Sequence, residues 1–196
     1  MALMRKYIFF ISFLILSVFV VQAQQKNRIG FKAGVGFYRQ NYKLNGKQEY
    51  RDFKPGIVVG IFKEINLNEF VNFQPELMFI GMGAKDGGNK YKSDYIALPM
   101  LFKFHGKKIG FVVGPQASLL INAKSNDEFG GTVDIKDKYK SIDLGLITGV
   151  ELSFAKKNRG IAGIRYQTAI NDIWKDGPPK SFIKNTGIQA YIGFRF

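Results

Sequence analysis

Residues 70–83 read FVNFQPELMFIGMG, and the fold can be read outward from them. At period two, Val71, Phe73, Pro75, Leu77 and Phe79 share one face. Asn72, Gln74 and Glu76 share the other, until Met78, Ile80 and Met82 take it over. Successive side chains of a strand point to opposite faces. The segment therefore has one apolar side and, over its first half, one polar side. It is also long for a strand of an ordinary soluble domain. A charge turned inward and large apolar groups turned outward predict one wall of a barrel standing in lipid.

The same alternation recurs in residues 28–38, 55–64, 95–104, 109–122, 141–154, 161–170 and 186–196. In the first, Ile29, Phe31, Ala33, Val35 and Phe37 face away from Lys32 and three glycines. In the last, Ile188, Ala190, Ile192, Phe194 and Phe196 face away from Gln189, Tyr191 and Arg195. No stretch in this part of the chain keeps a helical period. The count is eight strands, mostly of the length a tilted strand needs to cross a bilayer. Their connections sort by parity. Residues 39–54, 83–94, 123–140 and 171–185 form long polar connections, and 66–69, 105–108 and 155–159 form short ones. Long external loops alternating with short periplasmic turns are the habit of outer-membrane barrels. The expected fold is an all-β, eight-stranded antiparallel transmembrane barrel. Pro75, Pro99 and Pro115 fall inside strands, where proline cannot donate a ladder hydrogen bond, so bulges or local distortions are expected there.

The 196-residue length suits one domain. Residues 1–23 read as a secretory signal peptide: Arg5 and Lys6 precede an apolar run to Val21, and Val21-Gln22-Ala23 sets cleavage before Gln24. Residues 24–196 are then the barrel domain. The absence of cysteine excludes disulfides, thiolate metal sites and lipoprotein anchoring through cysteine. The net charge is +14, of which Arg5 and Lys6 contribute two. The remaining Lys and Arg residues are scattered, which argues against a nucleic-acid partner.

Several motifs carry a family likeness. FQPELMFIGMGAK at residues 73–85, YIALPMLFKF at 95–104, GFVVGPQASLLINAK at 110–124 and IDLGLITGVEL at 142–152 resemble successive strand motifs of the PorT-like outer-membrane barrel proteins of Bacteroidetes. The likeness spans residues 29–196 and implies fold and location rather than an activity. Proline recurs at the matching places in that family. The family name comes from a protein implicated in type IX secretion, so the resemblance also implies an accessory role in a secretion or assembly machine as an alternative. The ending YIGFRF resembles the signal read by the barrel-assembly machinery, with Phe194 and Phe196 as its outward aromatics. Tyr191 stands where the signal often has glycine.

Inward-facing charges are the candidate functional residues: Lys32, Lys103, Arg165 and Arg195 against Glu76, Asp143 and Glu151. Eight strands leave room for side chains but not for a water-filled channel. Charges confined there need partners. A mutually paired plug is therefore expected ahead of a small pore. The one histidine, His105, sits in a short turn with no orienting carboxylate near it in sequence, as catalysis or metal binding would need. Gly34-Val35-Gly36 lacks the helix and further glycines of a phosphate loop and reads as space for a larger inward neighbour. Asp86-Gly87-Gly88-Asn89 and the 172–176 stretch read as turn chemistry, not calcium loops. No catalytic, cofactor or metal residue is expected. The expected protein is a non-enzymatic barrel of the bacterial outer membrane, in contact with outer-membrane lipid, that stabilises the envelope or presents its loops to a partner. An outer-membrane enzyme is a further alternative.

Overall fold

A computed structural model describes residues 27–106, 108–127 and 129–196, apart from the side chains of His105 and Lys156. The expected leader, 1–23, lies outside the described residues. Eight long antiparallel strands form the wall: β1 (Arg28–Leu44), β3 (Lys54–Asn66), β4 (Val71–Asp86), β5 (Asn89–His105), β6 (Ile109–Asn126), β8 (Ile142–Phe154), β9 (Gly160–Ala169) and β10 (Phe182–Arg195). β10 pairs with β1 from Gly30–Arg195 to Lys43–Phe182, which closes the sheet into a barrel. Two short strands, β2 (Lys47–Tyr50) and β7 (Thr132–Asp134), fold back on β1 and β6. No helix among the described residues is long and apolar enough to cross a membrane. The wall crosses with strands.

The alternation decides what faces where. Phe31, Val35 and Phe37 on β1, Ile57 and Ile61 on β3, and Leu77 on β4 are exposed on the outer wall. Lys32, Tyr38, Val58, Phe62, Glu76 and Met78 from the same strands are buried in the lumen. An apolar outer wall with a filled interior is the inverse of a soluble sandwich and matches a barrel solvated by lipid.

The strands pass the expected limits mainly at one end. β1 and β5 have 17 residues each and β6 has 18, more than a crossing requires. Residues 83–94, read from sequence as a long loop, are mostly strand, and Asp86 and Asn89 are joined by Gly87-Gly88 alone. Residues 39–54 are likewise a paired ribbon, turned at Asn45 and Gly46, both with positive φ. That backbone suits a two-residue hairpin turn. The alternation fades in these extensions because their buried places go to small or polar residues, Gln40, Ala84, Ser93 and Asp94, and residues 86–90 at one tip are exposed on both faces, while the ladder continues. The opposite end carries the short connections that follow β3, β5 and β8, and both ends of the wall. We call these the hairpin end and the turn end.

The prolines interrupt the ladder without a bulge. Pairing between β3 and β4 skips from Phe62–Glu76 to Ile65–Phe73, across from Pro75. Pairing between β4 and β5 skips at Pro99, and between β5 and β6 at Pro115, each time in unchanged register. Each proline costs one seam its local hydrogen bonds and leaves the other intact. The only register shift between β5 and β6 lies elsewhere, at Asp94/Tyr95. Past it, Ala123 takes the inward place that even-numbered residues hold below, so Asn122 is not the inward residue expected from strict alternation.

Gly34 and Gly36 do face a crowded interior. A Cβ on Gly36 would stand 2.3 Å from the Tyr38 ring, and one on Gly34 would stand 2.1 Å from the Ala190 carbonyl oxygen. Tyr38 and the β1–β10 seam occupy the space those side chains would need.

Candidate functional site

The lumen has two layers, and the change on β4 from Glu76 to Met78 marks their border. On the hairpin side, Tyr38, Met78, Ile80, Met82 and Tyr95 pack into one apolar cluster. Ile135, Tyr139 and Ile173, from the connections after β7 and β9, join that cluster and cap it. Tyr139 and Trp174 form an antiparallel bridge across the cap, and Lys140 N–H donates to the Ile173 carbonyl at 2.8 Å. Asp172 fixes the second segment by accepting from Trp174 N at 2.9 Å and Ile183 N at 2.8 Å. Its expected reading as turn chemistry describes these bonds.

On the turn side, seven buried charges from seven strands form one continuous chain of ion pairs. Arg165 grips Glu76 with both terminal nitrogens, at 2.7 and 2.8 Å. Lys32 Nζ donates to Glu76 at 2.9 Å, and Gln74 Nε2 donates to it at 2.7 Å. Lys32 and Arg165 each also stand 3.8 Å from Glu151. Lys103 donates to Glu151 and, at 2.8 Å, to Glu64. Glu64 accepts in turn from Arg195 Nη1 at 2.6 and 2.7 Å. Arg195 reaches the turn end, donating from Nε to the Asn158 carbonyl at 2.7 Å and from Nη2 to Ser153 Oγ.

Four cations thus meet three carboxylates. Aromatic faces share the load on the cations: Lys32 stands 4.5 Å from the Phe62 ring centre and 4.6 Å from that of Tyr191, and Arg165 stands 4.6 Å from Tyr191. A ring quadrupole attracts a desolvated cation. The Tyr191 hydroxyl donates to Glu151 at 3.1 Å. This ring lies where Gly163 leaves room, since a Cβ there would fall 2.4 Å from the Tyr191 ring. The tyrosine that stands where the expected C-terminal signal often has glycine is therefore a member of the lumen network.

The structure brings together six of the seven charges named from sequence: Lys32, Glu76, Lys103, Glu151, Arg165 and Arg195. Asp143 lies apart. It is buried near the hairpin end, where Asn185 donates to it at 2.8 Å. Among the described residues no cation reaches it. Sequence shows which face a residue takes but not its height in the barrel. Asp143 pairs with Ser118 on β6, well above Glu151, which pairs with Gly110. The third carboxylate is instead Glu64. It continues the inward series Val58, Phe62 on β3, and its position at the strand's end hid it. That parity was the available signal.

At the turn end a recess of about 280 Å³ opens beside Glu64, Lys103 and Arg195. The backbone of His105 closes β5 opposite Gly110. Phe194 and Phe196 stack edge to face at 5.5 Å on the outer wall, and Phe196 is exposed there. Among the described residues no three of His, Cys, Asp and Glu are arranged to hold a metal ion.

In shape the chain is similar to Neisserial surface protein A (NspA), with TM-score 0.53 and 17% sequence identity over 85% of this chain and 97% of that one. It is also similar to Ail, the attachment invasion locus protein of Yersinia pestis, with TM-score 0.48 and 13% identity over 88% of this chain and 100% of that one. At 17% identity the likeness to NspA shows the fold alone, and the fainter one to Ail adds nothing to it. No curated protein matches the chain in sequence. Residues 22–175 match the family described as outer membrane protein beta-barrel domain, which is most of the chain, and the protein belongs to that family of bacterial outer-membrane barrels.

Proposed function

We propose that this protein is a non-enzymatic outer-membrane barrel with a plugged lumen, which works by its presence in the envelope and by what its hairpin end presents outside the cell. The observation that carries this reading is the double closure of the lumen. The ion-pair chain from Arg165 to Arg195 fills the turn half, and the cluster around Tyr38 and Met78 fills the other. An eight-stranded barrel has little room beyond its own side chains. The folded protein in planar bilayers should pass no steady single-channel current. Reproducible unitary conductance would replace this reading with that of a small pore.

The reading includes export with cleavage near Ala23, insertion by the barrel-assembly machinery through the Phe194–Phe196 ending, and residence in outer-membrane lipid without nucleic-acid contact. It also sets the hairpin end outside and the turn end in the periplasm. A protease site inserted at Gly87 or Gly130 should be cut on intact cells, while one at Asn68 or Lys157 should be protected. Cutting of the second pair would reverse the orientation. A second reading, an accessory subunit of a type IX-like secretion or assembly machine, is favoured by the PorT-like motifs at residues 73–85 and 95–104. Crosslinking in intact cells, followed by identification of the bound proteins, separates the two. A stoichiometric secretion-machine partner supports the second, and its absence supports the first.

A further inference from the structure

The cap at the hairpin end contains a cavity that the closed lumen does not use. It measures about 390 Å³ and opens among Arg51, Tyr91, Ile135, Lys138, Tyr139 and Trp174. That volume falls in the range of small-molecule sites, which are mostly apolar with a few placed polar groups. The floor is packed, because Ile135 and Tyr139 are buried members of the apolar cluster below. Tyr139 and Trp174 face each other across an antiparallel bridge, and residues so paired put their side chains on the same side of a ribbon.

The charges on the rim are unevenly committed. The Arg51 guanidinium lies 4.0 Å from the Tyr91 ring centre, with Nε on Asp86 at 3.2 Å and Nη1 on Gln40 at 2.6 Å. Its Nη2 makes no hydrogen bond among the described residues. Lys138 is exposed, and its ammonium has no partner among the described residues. Asp127, the acid on the rim, turns Oδ1 to its own loop, accepting from Phe129 N at 3.1 Å and Gly131 N at 2.6 Å. Among the described residues that line it, the cavity therefore offers aromatic faces, one cation held in place and one free cation, against a single carboxylate partly used by its own turn.

We propose that this cavity binds a small organic anion with a flat or apolar face. The body of the ligand lies against Trp174 and Tyr139, and its acid group meets Lys138 and Arg51 Nη2. An aromatic carboxylic acid and an acidic sugar share that chemistry. The inference rests on the reading above only for the side of the membrane on which the cavity opens. Its test needs no membrane orientation, so the two can fail separately.

Trp174 is the only tryptophan among nine tyrosines, so tryptophan emission of the folded barrel in detergent, excited beyond the tyrosine absorption, reports on this cavity. The probes are benzoate and glucuronate, with benzamide and methyl glucoside as uncharged counterparts. At least one acid should change the emission saturably, and its uncharged counterpart should bind about tenfold more weakly or worse, the worth of one charge-assisted hydrogen bond. Lys138→Gln, in an exposed turn, should weaken the acid by a similar factor and leave the melting curve unchanged. Response to benzoate alone, or to glucuronate alone, identifies the source. Three results overturn the proposal: no saturable change with either acid, equal binding of acid and uncharged probe, or unchanged acid binding in Lys138→Gln.

Discussion

Glu76→Ala should destabilise the folded barrel by about 3–5 kcal/mol, the usual loss when one member of a buried, hydrogen-bonded ion pair is removed. Glu76 is fully buried and accepts from Arg165, Lys32 and Gln74. Without it, the one carboxylate left to Lys32 and Arg165 among the described residues is Glu151, at 3.8 Å from each. The cost comes from the stranded cations rather than from the lost contact. Glu151→Ala should behave alike, because it leaves Lys103 with Glu64, takes a second carboxylate from Lys32 and Arg165, and removes the acceptor of the Tyr191 hydroxyl. Glu49→Ala, in the exposed strand β2, should hardly move the curve. Glu76→Gln keeps hydrogen-bonding capacity and should fall between. The measurement is reversible unfolding of each variant from the same detergent or lipid. If Glu76→Ala and Glu49→Ala unfold alike, the ion-pair chain does not hold the lumen together.

What the sequence revealed follows from what a period of two encodes. Alternation assigns faces, so the outward set of Phe31, Val35, Ile57, Ile61 and Leu77 and the inward set of Lys32, Glu76, Lys103 and Arg165 were legible. It does not assign height. Height depends on the stagger between strands, and for that reason Asp143 was grouped with a cluster it stands above. Alternation also needs two different solvents. Toward the ribbon tip that contrast fades: the small or polar Gly83, Ala84, Ser93 and Asp94 take buried places and residues 86–90 are exposed on both faces, so 83–86 and 89–94 read as loop although they pair in register. The cap was illegible for another reason. Ile135, Tyr139 and Ile173 belong to polar connections, and only the closed wall brings them over the lumen. Trp174 and Lys138 share a cavity for the same cause, and no spacing in the sequence joins them.

Leu77→Arg should impair insertion and cost about 2–4 kcal/mol, the range for a basic residue at the lipid midplane of such barrels. Leu77 stands on the outer wall of β4, opposite Ile61 on β3, and is 47% exposed. Phe73 lies four residues nearer the turn end, its ring tilted against that of Phe102 at 5.5 Å, where an interfacial aromatic girdle would run. Leu77 is thus inside the apolar band, and an arginine there can reach water only by stretching along the wall. The informative control is the same change on the same outer surface at its edge. Ile29→Arg, beside Arg28 and paired with Lys63, should cost about 0–1 kcal/mol. Gln74→Arg is no benign comparison, because Gln74 is fully buried and bound to Glu76, and a longer cation would be forced into a filled lumen. Refolding yield and unfolding free energy in vesicles give both numbers. Equal loss from Leu77→Arg and Ile29→Arg would mean that depth does not matter on this wall, and the apolar band around Leu77 would then not be the surface that meets lipid.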